Sequence, residues 1–177
     1  MTSLYQFETL RIGQNSGLIA EQAIAMTEHG GCICVLANTV REAQDIYQEL
    51  KKRADQETET MLFHARFTME RRNAIEQRCL HLFGRNAGTA RPKRAILVAT
   101  QVVEQSLDLD FDGMITELAP IDLLLQRAGR VHRHRERQRP QGMEQPIIHV
   151  VIPNKDESGD LEERYGLSGV VYAPFLL

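Results

Sequence analysis

The sequence predicts an α/β fold organised around a mainly parallel sheet. Residues 32–37 (CICVLA) and 95–99 (AILVA) are unbroken apolar runs of strand length, the pattern of strands covered on both faces. Between and after them come longer stretches whose apolar residues recur at helical spacing. Strands that alternate with helices are joined by crossovers, which favours parallel pairing. At 177 residues the chain is long enough for one domain with a substantial core.

The elements follow in order. Residues 5–12 carry a faint strand-like pattern. Asn15-Ser16 opens a helix bearing Leu18, Ile19, Ala23, Ile24 and Met26, expected to end at Gly30-Gly31. The strand at 32–37 stops at Asn38-Thr39, and residues 40–54 form a helix with Val40, Ala43, Tyr47 and Leu50 inward. A short strand at 60–63 leads through His64-Ala65-Arg66-Phe67-Thr68 to a helix carrying Ile75, Cys79, Leu82 and Phe83, which Gly84 stops. Residues 86–92 are a polar loop before the strand at 95–99, and 102–109 is mixed. A strand at 113–118 follows, then a helix opened by Pro120 that runs through Leu123, Leu124 and Leu125 into an arginine-rich stretch. The last strand is expected at 147–152. No internal repeat is present.

Bulk composition narrows the functional classes. Net charge is -3, so any nucleic-acid contact must come from local clusters rather than a global basic field. No apolar run approaches the ~20 residues of a membrane span, and the N-terminus lacks a charged-then-apolar signal pattern. Cys32, Cys34 and Cys79 have no metal-type spacing and read as core thiols in a reducing cytoplasm. Residues 170–177 (VVYAPFLL) are almost wholly apolar, which points to a piece of a longer polypeptide.

In open parallel sheets, ligands gather at the carboxyl ends of the strands. Those ends offer Asn38-Thr39, His64-Ala65-Arg66, Thr100-Gln101 and the acidic stretch at 108–112. Hydroxyls, amides and an Arg suit a nucleic-acid backbone, although each alone is also an ordinary turn residue. In residues 126–133 (QRAGRVHR), Arg127, Arg130 and Arg133 recur every three positions and are expected on one side of a helical turn. Three such cations repel one another unless an anion or carboxylates lie among them. The stretch reads either as a polyphosphate device or as a solvated basic helix end. The chain holds neither G-x-x-x-x-G-K-[ST] nor G-x-G-x-x-G, so another lobe must hold most of any nucleotide. An arginine offered across an interface to a phosphoryl group contributes about 10³–10⁵ in rate.

Four ordered motifs carry a family resemblance: the strand followed by Asn38-Thr39; residues 63–72 (FHARFTMERR); residues 96–108 (ILVATQVVEQSLD); and residues 126–133. They resemble motifs IV, IVa, V and VI of superfamily 2 helicases. Their wording, with Asp110-Phe111-Asp112 and the His-Arg-His-Arg tail at 132–135, is similar to the CRISPR-associated helicase-nuclease of type I interference systems. A DEAD-box RNA helicase would show A-R-G-I-D and H-R-I-G-R instead, which disfavours an RNA helicase lobe. The joint order of motifs disfavours a non-enzymatic nucleic-acid-binding module.

The resemblance implies a RecA-like three-layer fold, helices on both sheet faces, in the second of two motor lobes. It implies a lead-in and first helix at residues 1–30, the lobe at 31–152, and an extension at 153–177 cut before a further domain. It implies that Arg130 and Arg133 reach the γ-phosphate of ATP bound with Mg²⁺ mainly on the missing first lobe. Gln126 faces the nucleotide or its water, and Asp108 lies near the ribose and the water network. Thr39, Arg66, Thr100 and Gln101 touch single-stranded DNA, while Arg127 and Arg72 support the motifs. The implied partners are the first lobe and nuclease domain of the same polypeptide, single-stranded DNA and a guide-RNA surveillance complex, with no membrane. The isolated chain is expected to be inactive as an ATP hydrolase. No metal is assigned to it: His132 and His134 read as solvated or phosphate-facing, and residues 135–139 as a DNA-facing or merely exposed loop.

Overall fold

The computed structural model describes residues 5–104 and 107–152. Six strands, β1 (Gln6–Leu10), β2 (Gly31–Leu36), β3 (Glu59–Phe63), β4 (Arg94–Ala99), β5 (Gly113–Glu117) and β6 (Ile147–Val151), form one sheet in the order β1-β6-β5-β2-β4-β3. Every pairing is parallel. Among the described residues four α-helices accompany it: α1 (Ser16–Met26), α2 (Val40–Arg53), α3 (Met69–Phe83) and α4 (Ile121–Ala128). This is a RecA-like lobe.

The period-2 geometry of strands splits the core into two layers. Cys32, Cys34 and Leu36 of β2 point with Leu97 and Ala99 of β4 toward Cys79 and Phe83 of α3 and Leu124 and Ala128 of α4. Ile33, Val35, Ile96 and Val98 point the other way, onto Ile19, Ala20 and Ala23 of α1 and Ala43, Ile46 and Leu50 of α2. Both layers are apolar because both sheet faces are covered, which is why the central strands read as unbroken runs.

Local chemistry sets the element ends. Asn15 caps α1, its Oδ1 accepting from the Leu18 amide at 3.1 Å. The helix ends at Met26, short of Gly30, where the Thr27 hydroxyl donates to the Ile24 carbonyl at 2.9 Å and its amide bonds the same carbonyl. Gly30 (φ 104°) and Gly31 (φ 118°) then make the left-handed turn into β2. A Cβ on Gly31 would lie 2.7 Å from Met143 Sδ. Thr39 and Glu42 form a capping box at the start of α2.

Of the lead-in expected at residues 1–30, the described part, 5–30, enters the same sheet and core. β1 pairs with β6 along its full length, and α1 packs beside α2. The polar loop before β4 contains one short 3-10 turn, Gly88–Ala90, and the mixed segment after β4 opens with another, Gln101–Glu104. The 153–177 extension lies outside the described residues. Among the described residues, no helix is long and apolar enough to cross a membrane.

Candidate functional site

The carboxyl ends of β2, β4 and β5 converge on one buried guanidinium. Arg127, on the inner face of α4, is fully buried. Its Nε donates to Glu104 Oε1 at 2.8 Å, Nη1 to Thr116 Oγ1 at 2.7 Å and the Glu117 carbonyl at 3.2 Å, and Nη2 to Asn38 Oδ1 at 3.3 Å. A planar fork is the side chain that can reach three segments at once. Glu104 is itself only 8% exposed, so the charge pair is sequestered from water.

The three arginines do not share one side of a helical turn. α4 ends at Ala128, and the Gly129 amide caps it by bonding the Leu125 carbonyl at 3.0 Å. Past that cap the chain turns, which sends Arg127 inward and leaves Arg130 half-buried and Arg133 exposed. The Arg130 guanidinium donates to the Leu107 carbonyl and, at 3.0 Å, to the Glu104 carbonyl. Arg133 Nε donates to Asp108 Oδ1 at 2.5 Å and its Nη1 to the Gly129 carbonyl. Burial and the neighbouring Arg133 lower the Arg130 pKa, so positive charge is crowded there. At Asp108, burial pushes the carboxyl up, but Arg133 and His134 outweigh it and hold it below its ordinary value. Gln126 is exposed on α4. Two neighbouring guanidiniums beside one exposed carboxylate can bind an anion at this edge.

The residues expected along a nucleic-acid strand fall into two groups. Gln101 Nε2 donates to the Asn38 carbonyl at 3.1 Å, which places it beside Thr39. Thr100 is buried at the end of β4, its amide bonded to the Phe63 carbonyl at 3.2 Å. The Thr39 hydroxyl works in the capping box, donating to Glu42 Oε2 at 2.6 Å and accepting from the Glu42 amide at 3.2 Å. Arg66 is exposed in the β3–α3 connection. There His64 stacks on Phe67 with centroids 4.1 Å apart, and Arg71 lies 5.0 Å over the Phe67 ring. Arg72 pairs with Glu76 one turn along α3, at 3.0 Å.

Three expectations are corrected by the packing. The 108–112 acids do not stay together at the carboxyl edge. Asp112 precedes β5 at the opposite end of the sheet, and Asp110 and Asp112 are both buried. Burial of two carboxylates requires cations, and these come from Arg91, Arg137 and Arg139. Asp110 meets Arg137 at 2.7 Å and Arg139 at 2.9 Å; Asp112 meets Arg91 and Arg139, each at 2.8 Å. Residues 135–139 are therefore neither DNA-facing nor merely exposed as a unit, since Arg137 and Arg139 close this inner network. Of the two histidines read as solvated or phosphate-facing, His134 is not solvated and His132 is half-buried. His134 is buried with Nε2 at 3.2 Å from Asp108, and His132, at φ 51°, meets the Asp112 carbonyl. Among the described residues, no group of three His, Cys, Asp or Glu is arranged to hold a metal ion.

Sequence reasoning missed Glu42, Glu104 and Glu117. Thr39-x-x-Glu42 is a capping-box spacing and was legible. Glu117 is an acid embedded in an apolar run, 113–118, which marks a buried charge needing partners. Glu104 lies inside motif V, yet nothing in its spacing names Arg127 as its partner.

Residues 29–136 match the family described as CRISPR-associated nuclease/helicase Cas3, C-terminal. The chain is 45% identical over 145 residues to the CRISPR-associated endonuclease/helicase Cas3 of Escherichia coli K12, covering 82% of this chain and 16% of that protein. It is 54% identical over 102 residues to the Thermus thermophilus protein of the same description, covering 58% of this chain and 11% of that one. Among solved structures, T. fusca Cas3 with AMPPNP superposes at a TM-score of 0.84 and 35% identity, over 97% of this chain and 20% of that chain. The second domain of the DEAD-box helicase Mss116p gives 0.58 at 14% identity, over 86% of this chain and 55% of that chain, a likeness of fold alone. The chain thus spans less than a fifth of the curated Cas3 relatives cited.

Proposed function

The chain belongs to the Cas3 C-terminal family, and we propose that it is the C-terminal motor lobe of an ATP-dependent single-stranded-DNA translocase. In this reading the whole polypeptide, working in the cytoplasm, unwinds target DNA and feeds it to its own nuclease domain during CRISPR interference. One related structure is described as a CRISPR RNA-guided surveillance complex, pre-nicking, with a TM-score of 0.78 and 32% identity over 97% of this chain and 21% of that chain. Such a complex is the proposed partner.

The observation that carries the proposal is the Arg127 knot. It ties α4, which leads directly into Arg130 and Arg133, to Asn38 and Glu104 at two other strand ends. A displacement of α4 is therefore passed to the Asn38-Thr39 and Gln101 edge rather than absorbed by loose loops. Nucleotide with Mg²⁺, bound mainly by the first lobe, supplies the phosphoryl-transfer free energy. Arg130 and Arg133 bind the outer phosphate, and Asp108 holds Arg133 in place when no anion is present. Gln126 orients the attacking water, and Asp108 belongs to the same cleft. Thr39, Arg66, Thr100 and Gln101 follow the DNA backbone, while Arg127 and Arg72 brace their helices.

The test is steady-state ATP hydrolysis by the two-lobed polypeptide carrying Arg130→Ala or Arg133→Ala. A group that matters most in the transition state lowers turnover far more than it raises KM. The expected loss is on the order of 10²-fold or more in turnover. An unchanged turnover number removes the finger role.

A further inference from the structure

Glu42 and Glu117 are two buried acids that the proposed motor chemistry does not use. Each commits one oxygen. Glu117 Oε2 accepts the Asn38 amide at 2.5 Å, and Glu42 Oε2 accepts the Thr39 amide at 3.2 Å and the Thr39 hydroxyl at 2.6 Å. The other oxygen of each, Oε1, is buried with no donor among the described residues. The two side chains hold the adjacent amides of Thr39 and Asn38, so the two orphaned oxygens belong to neighbouring carboxyl groups. A proton shared between those groups would give each orphaned oxygen its missing partner.

We propose that Glu117 is a positioning residue that, by sharing a proton with Glu42, fixes the Asn38-Thr39 loop and through it Gln101. This deepens the motor-lobe reading, since Thr39 and Gln101 are its expected DNA contacts. The linkage is continuous. Glu117 holds the Asn38 amide, the Asn38 carbonyl holds Gln101, and the Asn38 side chain holds the Leu118 carbonyl and Arg127. On the other side Glu42 holds Thr39, closing a ring from β5 through α2 back to β2.

The charged groups facing this pair are few. α2 brings Glu42, α4 brings Arg127, and the turn after β4 brings Glu104, which is already matched to Arg127. Burial and the charge of Glu42 push the Glu117 pKa up to about 8, against the opposing pull of the Asn38 amide and Arg127. The folded state then holds a proton that the unfolded chain releases near the ordinary value of 4.5. Stability accordingly falls as pH rises from there to about 8 and levels off above it.

The experiment compares the wild-type chain with Glu117→Gln, Glu117→Ala and Glu42→Gln. Gln reproduces a protonated acid, with one donor for Glu42 and one acceptor for Asn38. The thermal midpoint of the wild type should decline relative to Glu117→Gln as pH rises from about 5 to about 8. Superimposable pH profiles overturn the shared proton. Hydrogen exchange of peptides spanning residues 36–42 and 99–104 should be faster in Glu117→Ala and near wild type in Glu117→Gln. Unchanged exchange in Glu117→Ala overturns the positioning role, whether or not the polypeptide is a motor. In the two-lobed polypeptide, Glu117→Ala should raise the half-stimulating concentration of single-stranded DNA roughly tenfold, the scale of one lost buried hydrogen bond. Glu117→Gln should not. Wild-type hydrolysis that single-stranded DNA fails to stimulate refutes the motor reading, while the exchange and melting data still decide the role of Glu117.

Discussion

Replacing Arg127 by Ala tests the knot at its centre. The guanidinium is fully buried, and its partner Glu104 is 8% exposed. Truncation strands a carboxylate in a dry site and removes donors from Thr116 Oγ1, the Glu117 carbonyl and Asn38 Oδ1. Breaking a buried pair from one side costs about 3–5 kcal/mol. For a chain of this size that is a fall of roughly 6–20 °C in Tm, at about 2–4 °C per kcal/mol. The assay is urea and thermal unfolding of the chain followed by circular dichroism, on Arg127→Ala, Glu104→Ala and the double variant. The double variant should be more stable than the sum of the singles predicts, because the second truncation removes the stranded charge. A single-variant loss below about 1 kcal/mol, or strict additivity, would refute the claim that these two groups hold the strand ends together.

Two further outcomes are expected. The isolated chain, lacking a G-x-x-x-x-G-K-[ST] loop, should hydrolyse no ATP and bind it poorly; robust turnover by a pure sample would contradict the half-site reading. At Asp112, burial raises the carboxyl pKa, but Arg91, the Cys32 amide and Arg139 outweigh it and leave it below 3.8. Because the folded pKa is depressed, the stability it contributes is complete above the ordinary value and is lost as pH falls through the folded one. Asp112→Asn should therefore be less stable than wild type near neutrality, with the difference narrowing below about pH 3.8 in unfolding titrations; a difference constant with pH would sink the assignment.

The sheet was legible because it is covered on both faces. CICVLA and AILVA read as strands, and the structure differs by adding Gly31 and Arg94 at their leading ends and by ending β2 at Leu36. β1 was faint for the opposite reason: it is an edge strand whose residues are mostly exposed, so no burial pattern marks it. The arginine stretch misled on geometry because spacing by three implies one face only if the helix continues, and the cap at Gly129 ended it. The inner network of Asp110, Asp112, Arg91, Arg137 and Arg139 was illegible because its members are brought together by the crossover from α4 to β6. Local charge patterning sees a basic tail and an acidic run, not their mutual neutralisation. The pair Glu42 and Glu117 was hidden likewise, each with a plain local explanation and neither pointing to the other.

The parallel pairing of β1 with β6 has a mechanical meaning. Gln6 aligns with Ile147 and Leu10 with Val151, and the Gln6 amide to Pro146 carbonyl and Ile152 amide to Leu10 carbonyl bonds close the two ends of the ladder. The chain thus enters this pair at the start of one strand and leaves at the finish of its neighbour. A pull between those points drives the two strands past each other lengthwise, so the rungs resist together instead of peeling one after another. A lobe strung in that geometry is a stiff link in tension.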